Sequence, residues 1–261
     1  MKQFVKKLAV AVAAFSLLYG NAYALSLGTN ITIPDKNTQT GSNTWYSSTS
    51  EDNEVEPGMV AAQKWDLEGF FLDGTILSMI GGYDFANGVD GYTSGDIFID
   101  IDGDAVFGDI HGKKDGNTVV TNTFGYDYAL TLDFSSLTYD IYKLDSDTST
   151  IGSYYKQNQG SNPWRYASGG NLISENIGFE YLTGLSNAAV DFTGGSHNVV
   201  TGIDLAFLAG NDFTAHYTMG CGNDNLMGQG TVPTPEPATM FLLGTGLIGL
   251  GGLGRKKIFK K

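Results

Sequence analysis

Asp100, Asp102 and Asp104 stand at alternate positions in Asp-Ile-Asp-Gly-Asp, with Asp109 a little beyond. Alternate residues of a strand share one face, and a glycine lets the chain turn so that the next carboxylate joins them. Such a group gathers the oxygen ligands that Ca2+ takes. The spacing is not that of an EF-hand, because Gly103 comes too early and His111 occupies the twelfth position. Calcium at Asp100, Asp102, Asp104 and Asp109 is one expectation, and an acidic solvated loop is its rival.

A second group is aromatic. Trp164, Tyr166, Tyr154 and Tyr155 lie in a polar stretch from Gly152 to Gly170 that is rich in Gly, Asn and Gln. Exposed aromatic faces beside amides equip a surface to stack on sugars. These four are the candidate ligand-binding residues, with core packing as the competing reading for each. Trp65, inside an apolar run, is expected in the core.

The remaining chemistry is sparse. His111, His197 and His216 are scattered without metal-ligand spacing and are expected to be structural, at the surface or partly buried. There is no G-x-S-x-G elbow, H-E-x-x-H pair or Walker-type phosphate loop. Glu175, Glu180 and the aspartates offer material for a glycosidase-like carboxylate pair. The expectation is a protein that is not an enzyme, with a secreted carboxylate-dependent hydrolase as the catalytic alternative. The lone Cys221 excludes an internal disulfide.

The elements that must position these residues read as strands. Short β-prone runs cover 31–33, 64–72, 76–80, 96–101, 126–134, 137–144, 177–182, 190–192, 199–208 and 213–218, separated by Gly, Asn, Asp and Ser. In Asp96–Asp102 the isoleucines alternate with Asp96, Phe98, Asp100 and Asp102, which reads as a half-buried strand. No long stretch between the two ends has helical periodicity. The fold class expected is all-β, an antiparallel jelly-roll-like β-sandwich over residues 25–232, with 25–55 an irregular N-terminal segment.

Both ends of the chain stand apart from this body. Lys2, Lys6 and Lys7 precede an apolar run from Leu8 to Leu18, and Ala22-Tyr23-Ala24 closes it. That order of basic, apolar and small residues marks residues 1–24 as a signal peptide, with Ala22 and Ala24 at the positions signal peptidase needs. At the other end, Pro235-Glu236-Pro237 leads into an uncharged hydrophobic segment, 238–254, followed by Arg255, Lys256 and Lys257. The apolar run is shorter than the ~20 residues of a permanent spanning helix and carries six glycines from Gly244 to Gly254. It suits transient insertion in the inner membrane, with the basic cluster held inside. A helix is expected at each end, flanking the sandwich.

Charge narrows the partners. Of 15 Lys and Arg, three lie in the first seven residues and five in the last seven, which leaves seven in the body against 27 acidic residues. A body near −20 does not bind nucleic acid through phosphate contacts.

The tail Pro-Glu-Pro-Ala-Thr-Met-Phe-Leu-Leu-Gly-Thr-Gly-Leu, ending in Arg-Lys-Lys, closely resembles the PEP-CTERM sorting signal of Gram-negative bacteria. The resemblance covers residues 233–261. It implies an exosortase as processing partner, with cutting near Pro235-Glu236-Pro237, and a host that makes exopolysaccharide and a biofilm matrix. The segment Thr218–Gly228, which contains Cys221, also resembles what precedes the tail in such proteins. The body, from Lys64-Trp65-Asp66 through Asp96–Asp102 to Tyr126-Asp127-Tyr128, looks like the family 9 carbohydrate-binding modules and the DOMON group. The expected function is an exported cell-surface or extracellular-matrix protein that binds polysaccharide. The alternative is a structural coat protein that associates with itself.

Overall fold

The computed structural model describes residues 25–33, 51–52, 59–105, 118–154 and 161–234. Apolar alternation becomes antiparallel strands in three sheets. The five-stranded sheet runs β1 (Thr29–Asn30), β2 (Leu67–Asp73), β3 (Ile76–Gly81), β12 (Ser196–Asp204), β11 (Glu180–Ser186). The six-stranded sheet runs β10 (Asn171–Gly178), β7 (Thr138–Lys143), β6 (Tyr128–Asp133), β4 (Ile97–Asp100), β13 (Asp212–Thr218), β14 (Asn225–Thr231). A small third sheet joins β5 (Val119–Thr121), β8 (Ser149–Ile151) and β9 (Arg165–Ser168). One four-residue helix, α1 (Asn187–Val190), follows β11.

The two large sheets form the sandwich. Phe70, Leu77 and Met79 of the five-stranded sheet share one buried cluster with Ile97, Ile99, Leu130, Tyr217 and Leu226 of the six-stranded sheet. The sheets approach closely at Gly228 of β14, where an added Cβ would lie 2.9 Å from the Phe70 Cβ. Only glycine fits there. The fold is thus the expected all-β sandwich.

Each large sheet also carries a smaller apolar cluster on its outer face. Phe98, Phe124, Tyr126, Ala129 and Leu144 pack together on the side of the six-stranded sheet that faces the third sheet. Leu27, Ile80, Val190 and Val199 pack on the outer side of the five-stranded sheet, beneath α1 and the chain after it. From Asp96 to Asp100 the run is therefore not half-buried: all four residues of β4 are buried, because the third sheet covers the face that alternation leaves polar, and exposure begins only at Ile101 and Asp102.

Other departures follow from the same covering layers. The run from Lys64 begins as a 3-10 turn, Gln63–Trp65, before β2. Residues 190–192 are not a strand: Val190 ends α1 and Asp191 adopts φ 61°, which turns the chain back toward β12. The run 199–208 stays strand only to Asp204, then closes as the 3-10 turn Ala206–Leu208. Strands β1, β5, β8, β9 and β14 and most of β10 lie outside the expected runs, being short or rich in polar residues and Gly, and the run 177–182 breaks at Phe179 between β10 and β11. Strands of three or four residues are fixed by their pairing, which a short window of sequence does not record.

The expected signal helix and the hydrophobic segment 238–254 lie outside the described residues. Among the described residues no helix is long and apolar enough to cross a membrane.

Phe98 tests the covered face directly. It is fully buried, so Phe98→Ala should lower the free energy of urea unfolding by about 3–5 kcal/mol. A loss under about 1 kcal/mol would mean that this face is solvated.

Candidate functional site

The acidic turn after β4 brings Asp100, Asp102 and Asp104 together, with one oxygen of each within 4.8 Å of the others. Gly103, at φ 81°, makes the turn that a side chain would resist. Asp100 is buried and already engaged. Its Oδ1 accepts from the backbone N–H of Asp102 (3.1 Å) and Gly103 (2.8 Å), and its Oδ2 from Ala105 (3.2 Å). Nearby Asp127 Oδ2 accepts from Ile101 N–H at 2.7 Å. The Asp102 charge holds the exposed Asp104 carboxyl above its ordinary range. These groups tie down their own turn, and the same oxygens form the set that a hard cation would use. Asp109 lies outside the described residues.

The aromatic candidates separate. Trp164 is buried, with its ring against Gly220 and Gly95, and the guanidinium of Arg165 lies 5.7 Å from the ring centroid. It is core, not an exposed platform. Tyr154 is exposed and leans on Tyr92 at 5.9 Å, whereas Tyr166 is half-buried and stacks on Tyr142 at 4.3 Å and 19°. Tyr155 lies outside the described residues.

Beside the Tyr142–Tyr166 stack, the outer face of the six-stranded sheet is open. A groove of about 240 Å³ is lined there by Thr131 and Asp133 of β6, Ser136 of the hairpin, Asp140 of β7, Asn176 of β10 and Arg165 of β9. Tyr142 shares the face of Asp140, two residues along β7. The hydroxyls and backbone N–H groups of Ser135 and Ser136 hold the Asp133 carboxyl down at about 2, so it is ionised. Asp140 Oδ1 accepts from Asn176 N–H at 2.8 Å. Arg165 Nε stands 4.0 Å from Asp96, a carboxylate buried under β9 that accepts from Tyr166 N–H (2.8 Å) and Leu132 N–H (3.3 Å). Burial outweighs those donors and pushes the Asp96 carboxyl up to about 6. Glu175 and Glu180, the other carboxylates considered, are exposed on either side of Phe179, where the chain passes from one sheet to the other.

Sequence reasoning missed a polar cluster on the outer face of the five-stranded sheet. Glu68, in the bulge of β2, and His197 of β12 are both fully buried. His197 Nδ1 lies 2.8 and 2.7 Å from the two Glu68 oxygens. Strand β3 runs between the two, and glycines at its end leave room for the turn before β2, since a Cβ on Gly82 would fall 1.9 Å from Gln63 O. Gln63 Nε2 donates to Glu68 Oε1 at 2.6 Å. Asn187 Oδ1 accepts from Gly195 N–H at 3.1 Å, which turns its oxygen toward His197 Nε2, 2.9 Å away. His197 Nε2 is therefore the protonated nitrogen. Oxygens of Asp52, Asp66 and Glu68 lie within 4.8 Å of one another, and Asp52 Oδ2 also accepts from the N–H and hydroxyl of Thr193. Burial first, then the Asp66 charge, drives the Glu68 carboxyl up to about 9, while burial lowers His197. Contacts this short need one proton between Nδ1 and the carboxyl oxygens, and burial opposes charge on both groups. Only the Gly81-Gly82 doublet hints at this in sequence, since its partners lie 129 residues apart.

His216 is likewise buried rather than superficial. It stacks on Tyr126 at 5.6 Å and donates from Nε2 to Pro163 O at 2.9 Å, and burial brings it down to about 4. The Cys221–Asn225 turn between β13 and β14 is a clamp. Asn223 makes two hydrogen bonds to the Val60 backbone, and Asp224 Oδ2 accepts from Leu67 N–H at 2.6 Å. Cys221 lies in the central core, where burial pushes its thiol up to about 11.

Beyond the folded body, the tail defines the class: a protein exported across the inner membrane and sorted by a terminal signal. Residues 233–256 match the PEP-CTERM protein-sorting motif. The chain is thus a target of an exosortase, and its destination is the cell surface or the extracellular space. The motif takes in Pro235, Glu236, Pro237, Arg255 and Lys256. Those residues, with Ala22, Ala24 and Lys257, lie outside the described residues. No curated protein and no solved structure matches the chain, so the likeness of the body to carbohydrate-binding modules and DOMON domains gains no support.

Two outcomes follow. Cys221 should resist iodoacetamide at pH 8 in the native protein and react once urea unfolds it, since only the thiolate attacks. Fast native labelling would contradict its burial. His216 is held below its ordinary 6.5, so the unfolded chain takes up its proton first. Its contribution is complete above pH 6.5 and is lost as pH falls toward 4. Urea titrations at pH 7 and 5 should show His216→Asn with a shallower acid loss than the natural chain.

Proposed function

We propose that the chain serves, after export and processing, as a non-enzymatic surface or matrix protein whose body binds polysaccharide. One observation carries this reading: the groove beside the Tyr142–Tyr166 stack. Its hydroxyls, carboxylates, amide and guanidinium offer both donors and acceptors across a flat sheet face, as a chain of sugar hydroxyls requires. The acidic body disfavours polyanions, so the groove suits a neutral chain best. The likeness of the tail to sorting signals of exopolysaccharide producers agrees with it.

A second reading, self-association as a coat, has an observation of its own. Among the described residues strand β10 is a sheet edge, with Leu172 and Ile173 about half exposed.

Thermal unfolding of the full chain with and without the host's purified extracellular polysaccharide tests the proposal. At a hundred times the dissociation constant a ligand of the native state adds about 2.7 kcal/mol, read as a higher Tm. The rise should appear in the natural chain and vanish in Asp140→Ala and Tyr142→Ala. No rise would overturn polysaccharide binding, and assembly growing with concentration in the same sample would put the coat protein in its place. Polysaccharide cleavage abolished by one Asp or Glu substitution would replace it with the hydrolase.

A further inference from the structure

The Glu68–His197 pair joins segments that are far apart in the chain. It reaches Asn187 and Gly195 through His197 Nε2, and Gln63 through the Glu68 carboxyl. Thr193 in turn holds Asp52, and Leu25 N–H donates to Ala189 O at 2.7 Å. Residues 187–196 thereby form a strap over the outer face of the five-stranded sheet. Val190 and Phe192 of the strap close over Leu27, Ile80, Val199 and Phe71. We propose that the buried Glu68–His197 pair is a pH-sensitive latch, closed by a single shared proton, that holds this strap over the sheet.

The proton count follows from geometry. His197 Nε2 keeps its proton toward Asn187, and contacts of 2.7–2.8 Å between Nδ1 and the carboxyl oxygens require one more proton between them. The groups around Glu68 favour keeping it. Asp66 faces it from its own turn and Asp52 from the 51–52 segment, beside the buried Glu51. Strand β3 brings only glycine, α1 brings Asn187, and the strap brings Phe192 and the uncharged Thr193, with Asp191 exposed at the helix end. Among the described residues His197 is the one base in the group. If it lost the shared proton, an imidazole lone pair and three carboxylates would face one another out of water.

Linkage then sets the pH profile. With the strap open, Glu68 and His197 titrate at their ordinary 4.5 and 6.5. Between those values the open pair also carries one proton, so opening does not depend on pH. Above 6.5 the open pair carries none beyond the Nε2–H, and opening costs a proton released to solvent. The opening constant therefore rises about tenfold per pH unit. Below 4.5 the open pair carries two, and opening rises again as pH falls. Opening would uncover Leu27, Ile80 and Val199, an apolar patch that the closed form hides.

Hydrogen exchange of the full chain from pH 5 to 8.5, corrected for intrinsic rates, tests this. Protection of amides 187–196 should stay level from pH 5 to 6.5, then fall about tenfold per unit, while the β6 amides report global opening in the same sample. In Glu68→Gln the amide donates to Nδ1 without titrating. Its strap should hold level protection above pH 6.5 and lose it below, as the freed imidazole takes a proton. Level protection in the natural chain above pH 6.5 would overturn the latch, as would a Glu68→Gln profile parallel to the natural one. If Glu68→Gln does not fold, the profile of the natural chain decides alone.

Discussion

Burial on both faces of the central strands is the constraint on which the rest depends. Strand β4 lies inside the six-stranded sheet and under the third sheet, and every residue of it is withdrawn from water. Its second face still carries acidic residues, which must find donors or give up their charge. Asp100 takes three N–H groups from the turn that follows, and Asp96 takes one each from β6 and β9. These carboxylates act as pins that fix the third sheet and the acidic turn against the sandwich. His216 on neighbouring β13 obeys the same rule, donating to the carbonyl of Pro163 in the layer above.

The covering layers also decide which surfaces are free to bind. The third sheet shields the outer face over β4 and β13 but leaves the β6–β7–β10 side open. The polar groove and the Tyr142–Tyr166 stack lie at that boundary. On the opposite side of the molecule, the strap and α1 hide the outer face of the five-stranded sheet. That cover rests on a carboxyl–imidazole contact whose strength depends on its proton, so the two outer faces differ in kind. Among the described residues one is open and polar, the other apolar and conditionally closed.

The tail and the body speak to different questions. The sorting motif at 233–256 says where the chain goes and which enzyme acts on it. The segment before it, with Cys221, Asn223 and Asp224, belongs to the folded body. It clamps residues 60–67 to the β13–β14 turn and places the cysteine in the core. That segment is thus a structural joint rather than the seat of a reactive thiol.

The sequence alone determined export, sorting and the all-β class, because those depend on order and alternation within short windows. Lys2 to Ala24, Pro235 to Lys257 and the alternating strand at 128–133 need no distant partner to be read. It also placed Trp65 in the core and gathered Asp100, Asp102 and Asp104 at one turn. The third layer was not legible, because β5, β8 and β9 are only three or four residues long and gain their strand form from pairing. Trp164 therefore stood open between a binding face and the core until the fold buried it, and β4 looked half-solvated when it is buried. Glu68 and His197 sit on strands that never pair, so no local spacing records their contact. Only the fold of β3 between them, with glycine at its end, brings the carboxyl and the imidazole within hydrogen-bond reach.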